Sequence, residues 1–217
     1  MSAVVTRLCI VRHGETPWNV ERRLQGHLDV PLNDLGWAQA HAAGAWLKQQ
    51  EGFTAIYSSD LTRAWQTAQC IGEAIGLTPQ AVPGFRERRY GVFEGLTYDQ
   101  AEQQFPEEYA RFQAREPLCD FGGQGETLQA FFERIAASLQ EVAACHPGET
   151  VIVVAHGGVL DAINRFVRQR PLQAARDFHI PNAGLNWLAV ENGNWRIDAW
   201  GFTEHLSEGA LDELRFA

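Results

Sequence analysis

The sequence predicts an α/β fold: a mainly parallel, doubly wound sheet with helices on both faces, one antiparallel edge strand and a small helical cap insertion. Two observations carry that prediction. Short apolar runs alternate with helical periodicities from one end of the chain to the other. Late in the chain, two apolar runs flank Asn192-Gly193, a hairpin signal that adds an antiparallel strand at an edge. A third observation bounds the domain count. No internal repeat or low-complexity linker interrupts the 217 residues, so the chain reads as one domain, 1–217, with the cap inserted at about 97–125.

The elements follow in order. Residues 6–11, apolar through Leu8-Cys9-Ile10-Val11, form the first strand. Asn33 or Asp34 caps a helix to about residue 50, with Leu35, Ala38, Ala42, Ala45 and Trp46 as its inward face. Residues 55–58 make a short strand, and Asp60 caps the next helix, to about Ile75, with Leu61, Ala64, Ala68 and Ile71 inside. Ala81-Val82 marks a further strand. Thr97 and Gln100 form a capping box that opens a run of short helices as far as Arg115. A loop with Gly122, Gly123 and Gly125 leads to a long helix at about 126–145, ended by Pro147-Gly148. Residues 150–155 read as a fully buried strand, followed by a helix at about 158–167. Residues 185–190 and 195–200 form the hairpin.

Composition narrows the function. Hydrophobic content of 45% and twelve Phe are ample for a core. The first seven residues lack a secretory pattern and no apolar stretch approaches the roughly 18 residues that span a bilayer, so the expectation is a cytoplasmic protein without a membrane partner. Cys9, Cys70, Cys119 and Cys145 show no metal-ligand spacing and read as reduced thiols. A net charge of −9 argues against nucleic acid. Of the 18 basic residues only Lys48 is a lysine. The guanidinium fork suits phosphate and carboxylate.

Two strands end in informative residues. Leu8–Val11 runs into Arg12-His13-Gly14, and Val151–Ala155 runs into His156-Gly157-Gly158. In an open α/β sheet, reactive groups gather outside the carboxyl ends of the strands. If the two strands are neighbours, both histidines and Arg12 face one crevice. Glycine allows close backbone approach, and a helix starting there offers N–H groups to an anion. Arginines repel a divalent ion, so no metal is expected; the crevice suits a phosphate. Arg63, at a helix start after the strand 55–58, can join Arg12 there. Glu87 lies among Arg86, Arg88 and Arg89, which would lower its carboxyl pKa, while a bound phosphate dianion would raise it.

These segments resemble a known family. Arg12-His13-Gly14-Glu15-Thr16, Trp18-Asn19 with Gln25-Gly26, Ser58-Ser59-Asp60-Leu61-Thr62-Arg63-Ala64, Glu87-Arg88-Arg89-Tyr90-Gly91 with Glu94-Gly95, and Ala155-His156-Gly157-Gly158 are similar to the motifs of the histidine phosphatase superfamily. That group includes the cofactor-dependent phosphoglycerate mutases. The resemblance spans residues 7 to 158.

It implies a metal-independent phosphomonoester hydrolase working through a phosphohistidine on a small phosphorylated metabolite, without a cofactor, as a monomer or homodimer. His13 would be the nucleophile; Arg12, Arg63 and His156 would hold the phosphoryl oxygens. Glu87 would be general acid and then base, with Glu94 the next candidate. Gly14, Thr16, Asn19, Gln25, Gly26, Tyr90 and Gly157 would surround the ligand, whereas Glu15 would repel it. Tyr98, Phe105, Tyr109, Arg111, Phe112 and Arg115 of the cap read first as packing and second as pocket lining. Trp187, Trp195 and Trp200 read as packing, and His27, His41, His146, His179 and His205 as having no catalytic duty. The main rival is a phosphoglycerate mutase, favoured by Tyr90-Gly91. Against it stand the short insertion and the acidic tail at 203–217, which suits a doubly phosphorylated cofactor poorly. A catalytically silent scaffold that binds a phosphorylated ligand is the reading outside enzymes.

Overall fold

In the computed structural model, which describes residues 4–207 and 212, six strands alternate with seven α-helices. The strands are β1 (Val5–Arg12), β2 (Phe53–Ser58), β3 (Pro79–Ala81), β4 (Thr150–Ala155), β5 (Leu185–Glu191) and β6 (Asn194–Phe202). The helices are α1 (Pro17–Val20), α2 (Asp34–Leu47), α3 (Thr62–Ile75), α4 (Tyr98–Gln104), α5 (Pro106–Gln113), α6 (Leu128–Cys145) and α7 (Gly157–Arg168). The sheet order is β3-β2-β4-β1-β5-β6. Strands β1 to β4 run parallel, and β5 is antiparallel to both β1 and β6. The hairpin therefore supplies the antiparallel strand, next to the edge that β6 completes.

Both faces of the sheet are covered, which explains why β1 and β4 are apolar without alternation. Leu8, Ile10, Val151 and Val153 pack with α6 and α7. Their neighbours Cys9, Val11, Ile152 and Val154 point the other way, onto α2 and α3. The tryptophans of the hairpin pack as expected: Trp187 stacks on Phe53, Trp195 meets Phe166 edge-on, and Trp200 meets Phe178.

Two local expectations are corrected. Helix α2 buries Gly36, Gln39, Ala40, Ala43, Gly44 and Leu47, not the face of Leu35, Ala38, Ala42, Ala45 and Trp46. A helix of alanines and glycines carries a weak apolar stripe, so close backbone approach decides which side faces in. A Cβ on Gly44 would meet the Cys70 carbonyl oxygen of α3 at 3.0 Å. Asp60 does not cap α3, whose N-cap is Leu61. Asp29 accepts from the Thr62 backbone N–H (2.7 Å) and hydroxyl (2.7 Å) instead, while Asp60 forms a bidentate pair with Arg86.

The cap carries a small core of its own, in which Phe93, Ala101, Cys119 and Phe121 enclose Leu24 from the loop after α1. Tyr90 and Val92 join that core, so the excursion starts earlier than residue 97. It returns at Glu126, whose N–H donates to the Arg89 carbonyl (2.8 Å). The capping box of Thr97 and Gln100 is present. Of the acidic tail, 208–211 and 213–217 lie outside the described residues. No described helix is long and apolar enough to cross a membrane.

The loop after β1 is seated on α2 by glycine. A Cβ on Gly36 would stand 2.0 Å from the Glu15 carbonyl oxygen, so Gly36→Ala is expected to cost about 1–3 kcal/mol, the usual scale of overpacking. Urea unfolding at neutral pH measures it, and wild-type stability would mean that the loop is free to move off the helix.

Candidate active site

Register brings the two histidines together. Arg12 pairs with Ala155 across β1 and β4, so the residue after each leaves the sheet at the same level. The His13 and His156 rings lie 5.2 Å apart, tilted by 59°. The His13 N–H still donates to the Ala155 carbonyl (2.9 Å).

Each imidazole is oriented by a different partner. His13 Nδ1 is 2.7 Å from the Gly14 carbonyl oxygen. A carbonyl only accepts, so Nδ1 carries the hydrogen and Nε2 the lone pair. Asn182 Nδ2 holds the His13 carbonyl (3.0 Å), and Thr67 Oγ1 accepts the Gly14 N–H (3.1 Å). His156 Nε2 lies 2.8 Å from Ser59 Oγ, and its Nδ1 is buried without a hydrogen-bond partner. Burial, Arg63 and Arg12 hold His13 well below its ordinary pKa. Burial, Arg63, His13 and Arg12 do the same for His156. Both rings are neutral near pH 7.

Arg12 and Arg63 are buried beside them. Arg12 Nη1 donates to the Ile180 carbonyl (2.6 Å). Arg63, in the first turn of α3, donates from Nη1 to Leu28 O (3.0 Å) and from Nη2 to Gly26 O (2.9 Å). Its Nε has no hydrogen-bond partner. Burial lowers Arg63 to about 10, so it stays charged at neutral pH.

Glu87 sits differently from the sequence expectation. Its arginine neighbours point elsewhere: Arg86 to Asp60, Arg88 to the Glu126 and Cys119 carbonyls, and Arg89 to solvent. Glu87 is 8% exposed and is held by the backbone N–H groups of Arg88 (2.8 Å) and Gly158 (2.9 Å). Burial raises its pKa, against those two hydrogen bonds and the charges of Arg63 and Arg12. The rise therefore precedes any ligand. Glu94 is a strut, accepting from the His27 N–H (3.1 Å) and the Tyr90 N–H (3.0 Å).

A cavity of about 120 Å³ opens over this group. Arg12, His13, Asn19, Gln25, Gly26, Arg63, Glu87, Tyr90 and Gly157 line it, as the sequence reading expects. Gly14, Thr16 and His156 do not: Gly14 packs on the Gly36 backbone, Thr16 caps α1 in a box with Asn19, and His156 is wholly buried with its Nε2 on Ser59. Glu15 turns to α2, where it accepts from Asn33 Nδ2 (2.8 Å). From the cap, Tyr98, Phe112 and Arg115 reach the cavity, whereas Arg111 pairs with Glu108 and Glu116.

The sequence reading did not single out Arg23, Asp161 and Arg176. Arg23, Asp161 and Arg176 line the cavity. Asp161 lies one turn along α7 from Gly157, a spacing that could have flagged it. Arg176 follows α7 in irregular chain and carries no local signal. His27 Nε2 is 2.8 Å from the Glu87 carbonyl oxygen. Among the described residues, no cluster of three His, Cys, Asp or Glu side chains is arranged to hold a metal ion.

The chain has many relatives. The family model of the histidine phosphatase superfamily (branch 1) matches residues 8–203. Phosphoglycerate mutase-like protein 4 of Arabidopsis thaliana is 39% identical over 203 residues, covering 93% of this chain and 87% of that one. The metal-independent phosphoserine phosphatase of the same plant is 38% identical, with coverages of 94% and 84%. Among solved structures, a mycobacterial glucosyl-3-phosphoglycerate phosphatase superposes with a TM-score of 0.79 at 32% identity, covering 92% of this chain and 100% of that one.

The charge states make a measurable prediction. Below pH 6.5 the unfolded chain protonates two histidines that the folded protein keeps neutral. Their contribution to stability is therefore full above pH 6.5 and lost as the pH falls toward the lowered folded values. Glu87 acts with the opposite sign, its contribution being lost as the pH rises from 4.5 through its raised value. Imidazole ¹⁵N spectra at pH 7 are expected to show both rings neutral, with the His13 proton on Nδ1. An imidazolium signal from either ring would overturn the assignment.

Proposed function

This chain belongs to the histidine phosphatase superfamily, and on that footing we propose that it is a metal-independent phosphomonoester hydrolase of small phosphorylated metabolites, working through a phosphohistidine. The observation that carries the reading is a neutral His13 with its Nε2 lone pair available, set between two buried guanidinium groups and a buried carboxyl of raised pKa.

In the proposed cycle, His13 Nε2 attacks phosphorus and the ester oxygen departs with the Glu87 proton. Water then attacks the phosphohistidine, gives its proton to the Glu87 carboxylate, and inorganic phosphate leaves. In this reading Arg12 and Arg63, which line the cavity, and the buried, unpartnered Nδ1 of His156 meet the charge that gathers on the phosphoryl oxygens. Charge preorganised in a buried site is usually the largest catalytic term. Burial raises the Glu87 pKa before substrate arrives, the direction a general acid requires.

The rest of the lining supports a finer reading of the substrate. Arg23, Arg115 and Arg176 line the cavity, and the carboxylates they pair with are Glu21, Asp161 and Asp212 in turn. Three guanidinium groups able to exchange those partners for a ligand favour an ester whose alcohol carries a second anionic group. We place the enzyme in the cytoplasm, a reading supported by its free cysteines.

The mutase reading keeps Tyr90 and the names of several relatives in its favour. It requires the phosphoryl group to return to substrate. Supplied with 3-phosphoglycerate, the enzyme is expected to release inorganic phosphate or to leave it untouched, with or without 2,3-bisphosphoglycerate. Rapid bisphosphoglycerate-dependent formation of 2-phosphoglycerate would make it a mutase.

The nucleophile is tested by quenching with ³²P-labelled substrate under alkaline conditions. Label is expected on wild-type protein as an acid-labile, base-stable adduct and absent from His13→Ala, which is folded and inactive. Label on a serine or a carboxylate would reject the mechanism.

The acid is tested by Glu87→Gln. Alkyl and phenyl phosphates, whose alcohols need a proton to leave, are expected to lose about 10²–10⁴-fold in kcat, and p-nitrophenyl phosphate far less. In wild type, kcat/KM for the alkyl ester falls as Glu87 deprotonates with rising pH; the variant lacks that component. Equal losses for all esters would move the acid role to another group.

A further inference from the structure

We propose that His27 is a positioning residue that fixes the backbone of Glu87 relative to Arg63; the proposal rests on the reading of Glu87 as the acid. Residues 86–90 belong to no helix or strand, so no ladder of backbone hydrogen bonds holds the acid in place. Its carboxyl end is tied to Arg88 and Gly158. Its backbone end is tied by a side chain, because His27 Nε2 lies 2.8 Å from the Glu87 carbonyl oxygen. That oxygen only accepts, so Nε2 is the donor, and it carries a hydrogen whether the ring is neutral or charged. Arg134 Nη2 approaches the same oxygen at 3.4 Å but has a closer partner in Glu126 (2.6 Å), which leaves His27 as the stronger donor.

The residues on either side of His27 serve the other half of the site. Gly26 O and Leu28 O accept from the two Nη atoms of Arg63. The His27 N–H reaches Glu94 Oε1, which also accepts the Tyr90 N–H. Three consecutive residues thus contact both the guanidinium and the loop bearing the acid. A carboxyl must be held within a fraction of an ångström for proton transfer. The ring of His27 sets that spacing, while Arg63 is held by backbone carbonyls that a change of side chain leaves in place.

The test uses the full chain and two esters of similar shape, phenyl phosphate and p-nitrophenyl phosphate, which differ in their need for a proton. His27→Phe keeps a ring but removes the donor. It is expected to lower kcat for phenyl phosphate by about 10-fold, the scale of one hydrogen bond, and for the nitrophenyl ester by less than about 3-fold. His27→Gln, which returns an N–H at similar reach, is expected to restore the ratio. In a Glu87→Gln background, His27→Phe should cost nothing further with phenyl phosphate. Should His27→Phe not fold, His27→Asn, whose amide falls short of the carbonyl, reads the same ratio. Equal losses for both esters, no loss, or an unchanged deficit in His27→Gln would overturn the proposal. Were Glu87→Gln itself to spare the difference between the esters, the reading of the acid would fail instead.

Discussion

The parallel pairing of β1 with β4 is the constraint on which the site depends. Once Arg12 stands opposite Ala155, the two imidazoles must emerge side by side, and a one-residue slip would turn every side chain of the strand to the opposite face. Such a slip is strongly opposed, because Leu8 and Ile10 belong to one core and Cys9 and Val11 to the other. The geometry of the histidine pair is thus specified by hydrophobic burial well below it. The short strand β2 extends the same logic, since its end delivers Ser59 to His156 and leads into α3, whose first turn bears Arg63.

Above that floor, burial sets the charges. It drives the histidines toward neutrality, and the two arginines reinforce the effect. It also drives Glu87 toward its protonated form, here against the same arginines. One physical cause therefore lowers the pKa of His13 and raises that of Glu87, the directions that the proposed nucleophile and acid each need. The two buried guanidinium groups give the site an excess of positive charge that a phosphate dianion would neutralise.

The sequence made the floor legible for the reason that makes it stable. Strands buried on both faces are continuous apolar runs, and the residues ending them stand out beside glycine. The inward face of α2 was not legible, because Gly36 and Gly44 act by what they lack. The true cap of α3 was hidden by distance, Asp29 being remote in sequence from the helix it serves. Local charge misled at Glu87, whose arginine neighbours diverge onto Asp60 and two carbonyls. Arg176 and His27 reach their positions through the path of irregular loops, which no periodicity records.

The return of the chain at Glu126 to the carbonyl of Arg89 has an evolutionary consequence. The segment between these residues leaves and rejoins the main fold at nearly one point, and it encloses its own small core. Insertions, deletions and substitutions there change the part of the cavity lined by Tyr98, Phe112 and Arg115 without disturbing the register of β1 and β4. A lineage built on this plan can exchange one metabolite for another by rewriting residues between 90 and 125, while the chemistry beneath is inherited unchanged.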